Sequence, residues 1–393
     1  MTKPTISRSF LAAVSPVAFV LASCGAAATG DKASAASSGD APFKVEQAAS
    51  FDEPWAMAID KATGTMIVTE KKGTIKLRLA DGTPGTVSGA PKVAYGGQGG
   101  LGDVIFAPDQ KGATLDGRVI YLSWAEPGER DTRGAAVGKG TLSCPQPTAC
   151  AIQGLSVIWR QVPKVTGQGH YSHRLAFSPD GRYLFVASGD RQKFTPAQDL
   201  GGNLGKVVRL LPDGTPAPGN PYADKPAPTN QIWSYGHRNI LGLAFDDRGR
   251  LWDLEHGPAG GDELNLVAPG KNYGWPLVSD GDHYDGKPIP RHATRPDLAA
   301  PAISWNPVIA PGDFIFYSGA LFPQWKGQAL IASLTLPGVV RVRIDGEKAI
   351  EEARYPLDNR IREIEQGGDG TIWLLEDGKD GGAGRLLKLT PKT

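Results

Sequence analysis

The sequence predicts an all-β fold, a six-bladed β-propeller with long insertion loops gathered on the active-site face. Three observations carry this. Glycine and proline are abundant, 51 and 32 of 393 residues, and long helical periodicity is nearly absent, so the chain is spent on strands and turns. A glycine in a polar turn launches an apolar strand six times, at Gly64, Gly117, Gly181, Gly249, Gly327 and Gly370. Strands alternating basic and apolar residues follow, at 74–79, 206–211, 340–344 and 385–389. That period of two marks half-buried strands in the outer part of a blade. Six units at intervals of several tens of residues read as radial repetition. Two β-sandwiches are the alternative, and the six-fold recurrence counts against them. Uneven spacing leaves the longest insertions at 125–156, 191–205 and 258–312, and such loops build sites. The net charge of +1 gives no electrostatic case for nucleic acid.

In chain order, Lys3 and Arg8 precede an apolar run at 10–21. The run is too short to span a membrane and reads as the core of a signal peptide, 1–23. Its end, Leu21-Ala22-Ser23-Cys24-Gly25, resembles a bacterial lipobox, which implies cleavage before Cys24 and lipidation of that cysteine. Ordinary secretion with cleavage near Ala35 is the alternative. Residues 24–42 are rich in Ala, Ser, Gly and Asp and read as a flexible tether. The propeller domain is expected over 43–393. Cys144 and Cys150 flank a turn-rich loop, and an exported chain favours a small disulfide there. Two free thiols or half a metal site are the weaker readings.

Candidate chemistry begins at Gln98, the single non-glycine side chain in Gly-Gly-Gln-Gly-Gly. Such a run suits close ligand approach, or a loose turn. All six histidines fall between 170 and 292. His170 precedes one inner strand and Asp190 ends the next, so a hairpin would put them on the same rim. There the carboxylate could fix the imidazole tautomer; a capped turn histidine beside a surface aspartate is equally compatible. In 235–276, apolar strands at 241–245 and 251–254 flank a polar turn. A hairpin there brings His237, Arg238 and Asn239 beside Glu255, His256, Asp262 and Glu263. That mixture suits an anionic ligand and a hard cation, or else a satisfied surface network. Arg360 and Arg362 share one strand face, an arrangement that suits carboxylates or simply a solvated face.

Gly-His-Arg-Asn, Glu-His-Gly-Pro-x-Gly-Gly-Asp-Glu-Leu-Asn and Asn-Tyr-Gly-Trp-Pro together resemble the soluble PQQ-dependent aldose dehydrogenases of the glucose/sorbosone dehydrogenase family. The resemblance covers nearly all of 51–391. It implies that His170 is the catalytic base, Asp190 its carboxylate partner, and Arg238 the stabiliser of developing negative charge. It implies quinone contacts at Gln98, His170, Arg238, Asn239, Tyr284, Arg360 and Arg362. The carbonyls of Gly257 and Pro258, with Asp262 beside them, would hold an active-site calcium. Glu263 and the Tyr273 carbonyl would hold a second. Oxygen ligands are what Ca2+ requires. Three departures stand out: Thr335 where the family has a lysine, Ser172 where it has a glycine, and Asp313 where it has a small residue. They bear on cofactor affinity.

The implied reaction is oxidation of an aldose at C1 to a lactone, with hydride passing to a quinone polarised by calcium. An aldose substrate and a periplasmic electron acceptor are the implied partners. The expected placement is the periplasmic face of a bacterial membrane as a lipoprotein, or the soluble periplasm. A cofactor-free recognition propeller is the first rival. A metal-dependent lactonase is the second, though it needs several side-chain carboxylates around its metal.

Overall fold

The structure is a computed structural model, and it describes residues 41–108, 110–378 and 382–392. The expected signal peptide, Cys24 and nearly all of the expected tether lie outside the described residues.

The strands follow the glycine repeat. β1 (Phe43–Asp52) is followed by β2 (Pro54–Ile59), β3 (Met66–Glu70), β4 (Thr74–Arg78) and β5 (Pro84–Ser88). Next come β6 (Leu101–Phe106), β7 (Val119–Pro127), β8 (Arg133–Gln146) and β9 (Ala149–Arg160). A third set is β10 (Ser172–Phe177), β11 (Leu184–Ser188), β12 (Lys206–Leu210) and β13 (Ile232–Tyr235). A fourth is β14 (Ile240–Phe245), β15 (Leu251–Glu255), β16 (Asp262–Leu266) and β17 (Ile303–Trp305). A fifth is β18 (Pro311–Phe316), β19 (Ala329–Ser333), β20 (Gly338–Asp345) and β21 (Lys348–Pro356). The last strands are β22 (Ile361–Gln366), β23 (Ile372–Glu376) and β24 (Ala383–Pro391).

Within each set the strands pair as an antiparallel meander. The first two sets merge into one eight-stranded sheet, because β5 pairs in parallel with β9. β1 returns to pair with β24, so the N-terminal strand completes the C-terminal sheet. The first strands touch in sequence, β2 to β6 to β10 to β14 to β18 to β22, and β22 meets β2. That closes a ring. The six turn glycines all have positive φ, from 69° to 85°, the backbone region that glycine enters without steric cost. The core lies between neighbouring sheets: Trp252, Leu254 and Leu264 pack with Phe314 and Ile331, and Val186 and Leu210 pack with Val137 and Trp159.

Three expectations need amendment. The stretch 125–156 is not an open insertion, because most of it is the long hairpin of β8 and β9. Residues 191–205 do run outside strands, but 258–312 is interrupted by β16 and β17, so only 267–302 forms a long stretch outside strands there. The alternating pattern holds in β4 but not in β12, every residue of which is buried. There the Lys206 ammonium donates to the carbonyls of Pro196, Ala197 and Leu204 at 2.9, 3.0 and 2.7 Å, which satisfies its three donors. A charged residue at period two therefore points into a polar cage rather than to water. Cys144 and Cys150 form a disulfide.

Candidate active site

His170 stands at the entry to β10, and Asp190 follows β11. The hairpin brings His170 Nδ1 to 2.7 Å from Asp190 Oδ1. A carboxylate accepts, so Nδ1 carries the proton and Nε2 keeps its lone pair. Asp190 is fixed from two more sides: Trp275 Nε1 donates to Oδ2 at 2.7 Å, and the Gln192 amide donates to Oδ1 at 2.8 Å. The His170 amide donates to Gln98 Oε1 at 2.7 Å. Burial draws the His170 pKa below the usual histidine value, outweighing the hydrogen bond to Asp190. The imidazole is therefore neutral near pH 7, as a base must be.

The hairpin of β14 and β15 forms as expected, with Ile240 opposite Glu255. Its polar mouth is buried rather than on the surface: His237, Arg238, Asn239, Glu255, Asp262 and Glu263 are all buried. The Arg238 amide donates to Glu255 Oε2 at 2.6 Å, and the His256 amide to the Asn239 carbonyl at 3.0 Å. Arg238 Nη1 reaches the His256 carbonyl at 3.1 Å and Nη2 reaches Tyr284 Oη at 3.3 Å, while its Nε has no hydrogen-bond acceptor among the described residues. Tyr284 itself is 77% exposed. It stands at the edge of the site rather than inside.

A cavity of about 600 Å³ is lined by Gln98, Asn239, His256, Arg360 and Arg362, together with Lys71, Glu53 and Asp377. The volume suits a small-molecule cofactor. Arg360 and Arg362 converge as expected, but on Asp377: Arg360 Nη2 donates to Oδ2 at 2.8 Å and Arg362 Nη2 to the same oxygen at 3.1 Å. Two guanidinium groups share one carboxylate, and Lys71 adds a third cation, so the lining keeps a positive surplus over Glu53 and Asp377. That fits a ligand with several carboxylates. Sequence reading missed Lys71, Asp377 and Trp275. Asp377 follows β23 as Asp190 follows β11, and that parallel is the signal that could have found it.

Beside the cavity, a small recess is lined by Arg238, Gly257, Pro258, Glu263 and Tyr273. No amide or side chain among the described residues hydrogen-bonds the carbonyls of Gly257 or Pro258. Asp262 winds their loop: Oδ1 accepts from the Gly257 amide at 2.8 Å, and Oδ2 from the amides of Ile309 and Ala310 at 2.9 and 2.6 Å. A Cβ at Gly257 would come within 2.2 Å of the Gly260 carbonyl oxygen, so only glycine fits. Two uncommitted carbonyl oxygens suit a hard cation. At the second implied position, burial and the charges of Glu255, Asp280 and Asp253 push the Glu263 carboxyl well up. The Tyr273 carbonyl accepts from His292 Nε2 at 3.2 Å, so a cation there would compete with an imidazole. His237, Asp253 and Glu255 also lie close enough to share an ion. Burial opposes charge on His237, but Asp253 and Glu255 outweigh it and hold its pKa up.

The departures from the family pattern fall away from the cavity lining, Ser172 excepted. Thr335 is exposed and outside the lining, where Lys71 supplies a cation instead. Asp313 sits 3.6 Å from Arg174 Nε, within a buried cluster that includes Asp103 at 3.6 Å and Glu363 at 2.6 Å. Ser172 Oγ accepts from the Ile240 amide at 2.9 Å, tying β10 to β14.

A family model for glucose/sorbosone dehydrogenase matches residues 51–388. Aldose sugar dehydrogenase YliI of Escherichia coli (strain K12) is 36% identical over 350 residues, covering 87% of this chain and 91% of that one. The crystal structure of the soluble aldose sugar dehydrogenase from Escherichia coli in the apo form superposes with a TM-score of 0.80 at 35% identity, covering 89% of this chain and 100% of that one. The PQQ-bound aldose sugar dehydrogenase of Streptomyces coelicolor superposes with a TM-score of 0.71 at 26% identity, covering 89% and 98%.

Proposed function

Because the chain belongs to the glucose/sorbosone dehydrogenase family and is an oxidoreductase acting on CH–OH groups, we propose that it is a six-bladed propeller that oxidises aldoses at C1 to lactones with PQQ and calcium, using His170 as general base. The observation that carries this is the 2.7 Å contact of His170 Nδ1 with Asp190 Oδ1, which leaves Nε2 free to take a proton.

The residues divide the work. Arg360, Arg362 and Lys71 supply the positive surplus that holds an anionic cofactor, and Gln98 and Asn239 add polar contacts. The carbonyls of Gly257 and Pro258 would hold calcium, and Glu263 with the Tyr273 carbonyl a second ion. Bound PQQ would supply the hydride acceptor, its quinone carbonyl polarised by calcium. His170 Nε2 takes the proton from the anomeric hydroxyl, and Asp190, clamped by Trp275, stabilises the resulting imidazolium. The Nε of Arg238, unpaired among the described residues, is the donor available to the oxyanion that develops as the hydroxyl proton is removed. Tyr284 orients Arg238 from the rim.

The test is reconstitution. The mature domain with PQQ and calcium should oxidise aldoses with an artificial electron acceptor, and His170→Ala should lose about 10²–10⁴-fold in kcat. PQQ bound without turnover on any aldose would overturn the substrate assignment. No PQQ bound at all would overturn the quinoprotein assignment. The lipobox-like Leu21–Gly25 stretch supports placement as a periplasmic lipoprotein feeding a periplasmic acceptor. Membrane partitioning of the full chain that survives Cys24→Ala would count against that placement.

A further inference from the structure

His173 enters the cavity three residues after the base, and none of the chemistry above uses it. Its backbone is left-handed, with φ at 80°, a region uncommon outside glycine that asparagine, aspartate and histidine enter more readily than other residues. The residue is 2% exposed. It stacks on Tyr171 at 5.2 Å and meets Trp55 edge-on at 5.6 Å. Neither Nδ1 nor Nε2 has a hydrogen-bond partner among the described residues. Gly102 makes the room for it, since a Cβ there would come 2.8 Å from His173 Cγ.

Packing accounts for an aromatic ring at this place but not for an imidazole. A phenyl ring would fill the same stack without burying two polar atoms, and buried polar atoms are normally satisfied. Unsatisfied polar atoms on a cavity wall are the pattern of a ligand-binding residue. Burial, reinforced by the charges of Arg191 and Arg174, pulls the pKa down to about 3. The ring is thus neutral at working pH and offers one donor and one acceptor.

We propose that His173 is a further cofactor-binding residue of this cavity, hydrogen-bonding a polar atom of the quinone through its neutral imidazole. The proposal rests on the PQQ reading. It adds to the charged anchors, Arg360 and Arg362, a neutral contact that reads hydrogen-bonding pattern rather than charge.

Two measurements test it. The first is titration of the apo domain with PQQ in calcium, comparing wild type with His173→Phe, which keeps the ring stack. His173→Asn, whose residue type tolerates the left-handed backbone, serves as the folding control, and each variant is checked by thermal unfolding. The second is the ring ¹⁵N spectrum of the histidines in wild type, with and without PQQ, with His173 assigned from the variants. We expect His173→Phe to bind PQQ about tenfold more weakly and the His173 ring signals to move on loading. Unchanged affinity in a folded His173→Phe protein, or unmoved His173 signals in loaded wild type, would overturn the proposal and leave the PQQ reading standing. If His173→Phe does not fold, the ¹⁵N comparison decides alone. Wild type that binds no PQQ would overturn both.

Discussion

In the cavity wall, Arg360 and Arg362 share the single carboxylate of Asp377. In the core around Arg174, the carboxylates of Asp103, Asp313 and Glu363 share a single guanidinium. The two clusters meet on β22, where Arg362 lines the cavity and its neighbour Glu363 joins the core cluster. Their imbalances are opposite and are resolved differently. The core cluster has no ligand to recruit, so it holds protons: burial pushes Asp313 up to about 7, and Glu363 well above the usual carboxylate range. Arg174 also stacks its guanidinium 4.4 Å over Trp55. The cavity instead keeps its positive surplus open to solvent. A charge surplus that protonation cannot cancel is left to solvent, counterions or an anionic ligand, and this separates a binding surface from a structural cluster.

The harshest way to break the comparison is Arg174→Met. It leaves three buried carboxylates without their cation, and we expect a loss of about 3–5 kcal/mol of stability, measured by urea unfolding. Survival with near wild-type stability would mean that the carboxyl groups are neutral without Arg174. Arg362→Met probes the other cluster. PQQ affinity should fall about tenfold or more, with reduced salt dependence and little change in melting temperature, as read by cofactor titration at two ionic strengths. A large stability loss with unchanged affinity would make that pair structural. The mildest probe is Asp313→Asn. The folded-state pKa of Asp313 is raised, so the wild-type fold retains a proton that the unfolded chain releases, and this contribution is lost as pH rises from about 4 to about 7. The stability difference between the two proteins should therefore shift in favour of Asp313→Asn across that window. A difference independent of pH would show that Asp313 is already ionised in the fold.

Much of this was legible in the chain. The turn glycines announced their strands, and all six adopt positive φ. The hairpin of 235–276 formed, and the His170–Asp190 pair met on one rim. Lys206 was misread, because alternation says which way a side chain points but not whether carbonyls await it there. The 125–156 stretch was misread as an insertion, because a long hairpin with frequent small and polar residues carries a weak apolar signal.

What the sequence determined by itself is local: turn positions, strand faces and the side chains that each hairpin delivers to its rim. Those follow from glycine backbone freedom and the two-residue period of a strand, which operate over a few residues. What only the tertiary structure decided is which rims face one another. Trp275 clamps Asp190 across 85 positions, Arg174 reaches the Gly312 carbonyl across 138, and Glu363 lies 306 positions from the Met57 amide that it accepts from. The last of these exists because β22 meets β2, where the ring of first strands closes. Closure depends on the packing between neighbouring sheets, and no short stretch of sequence contains it.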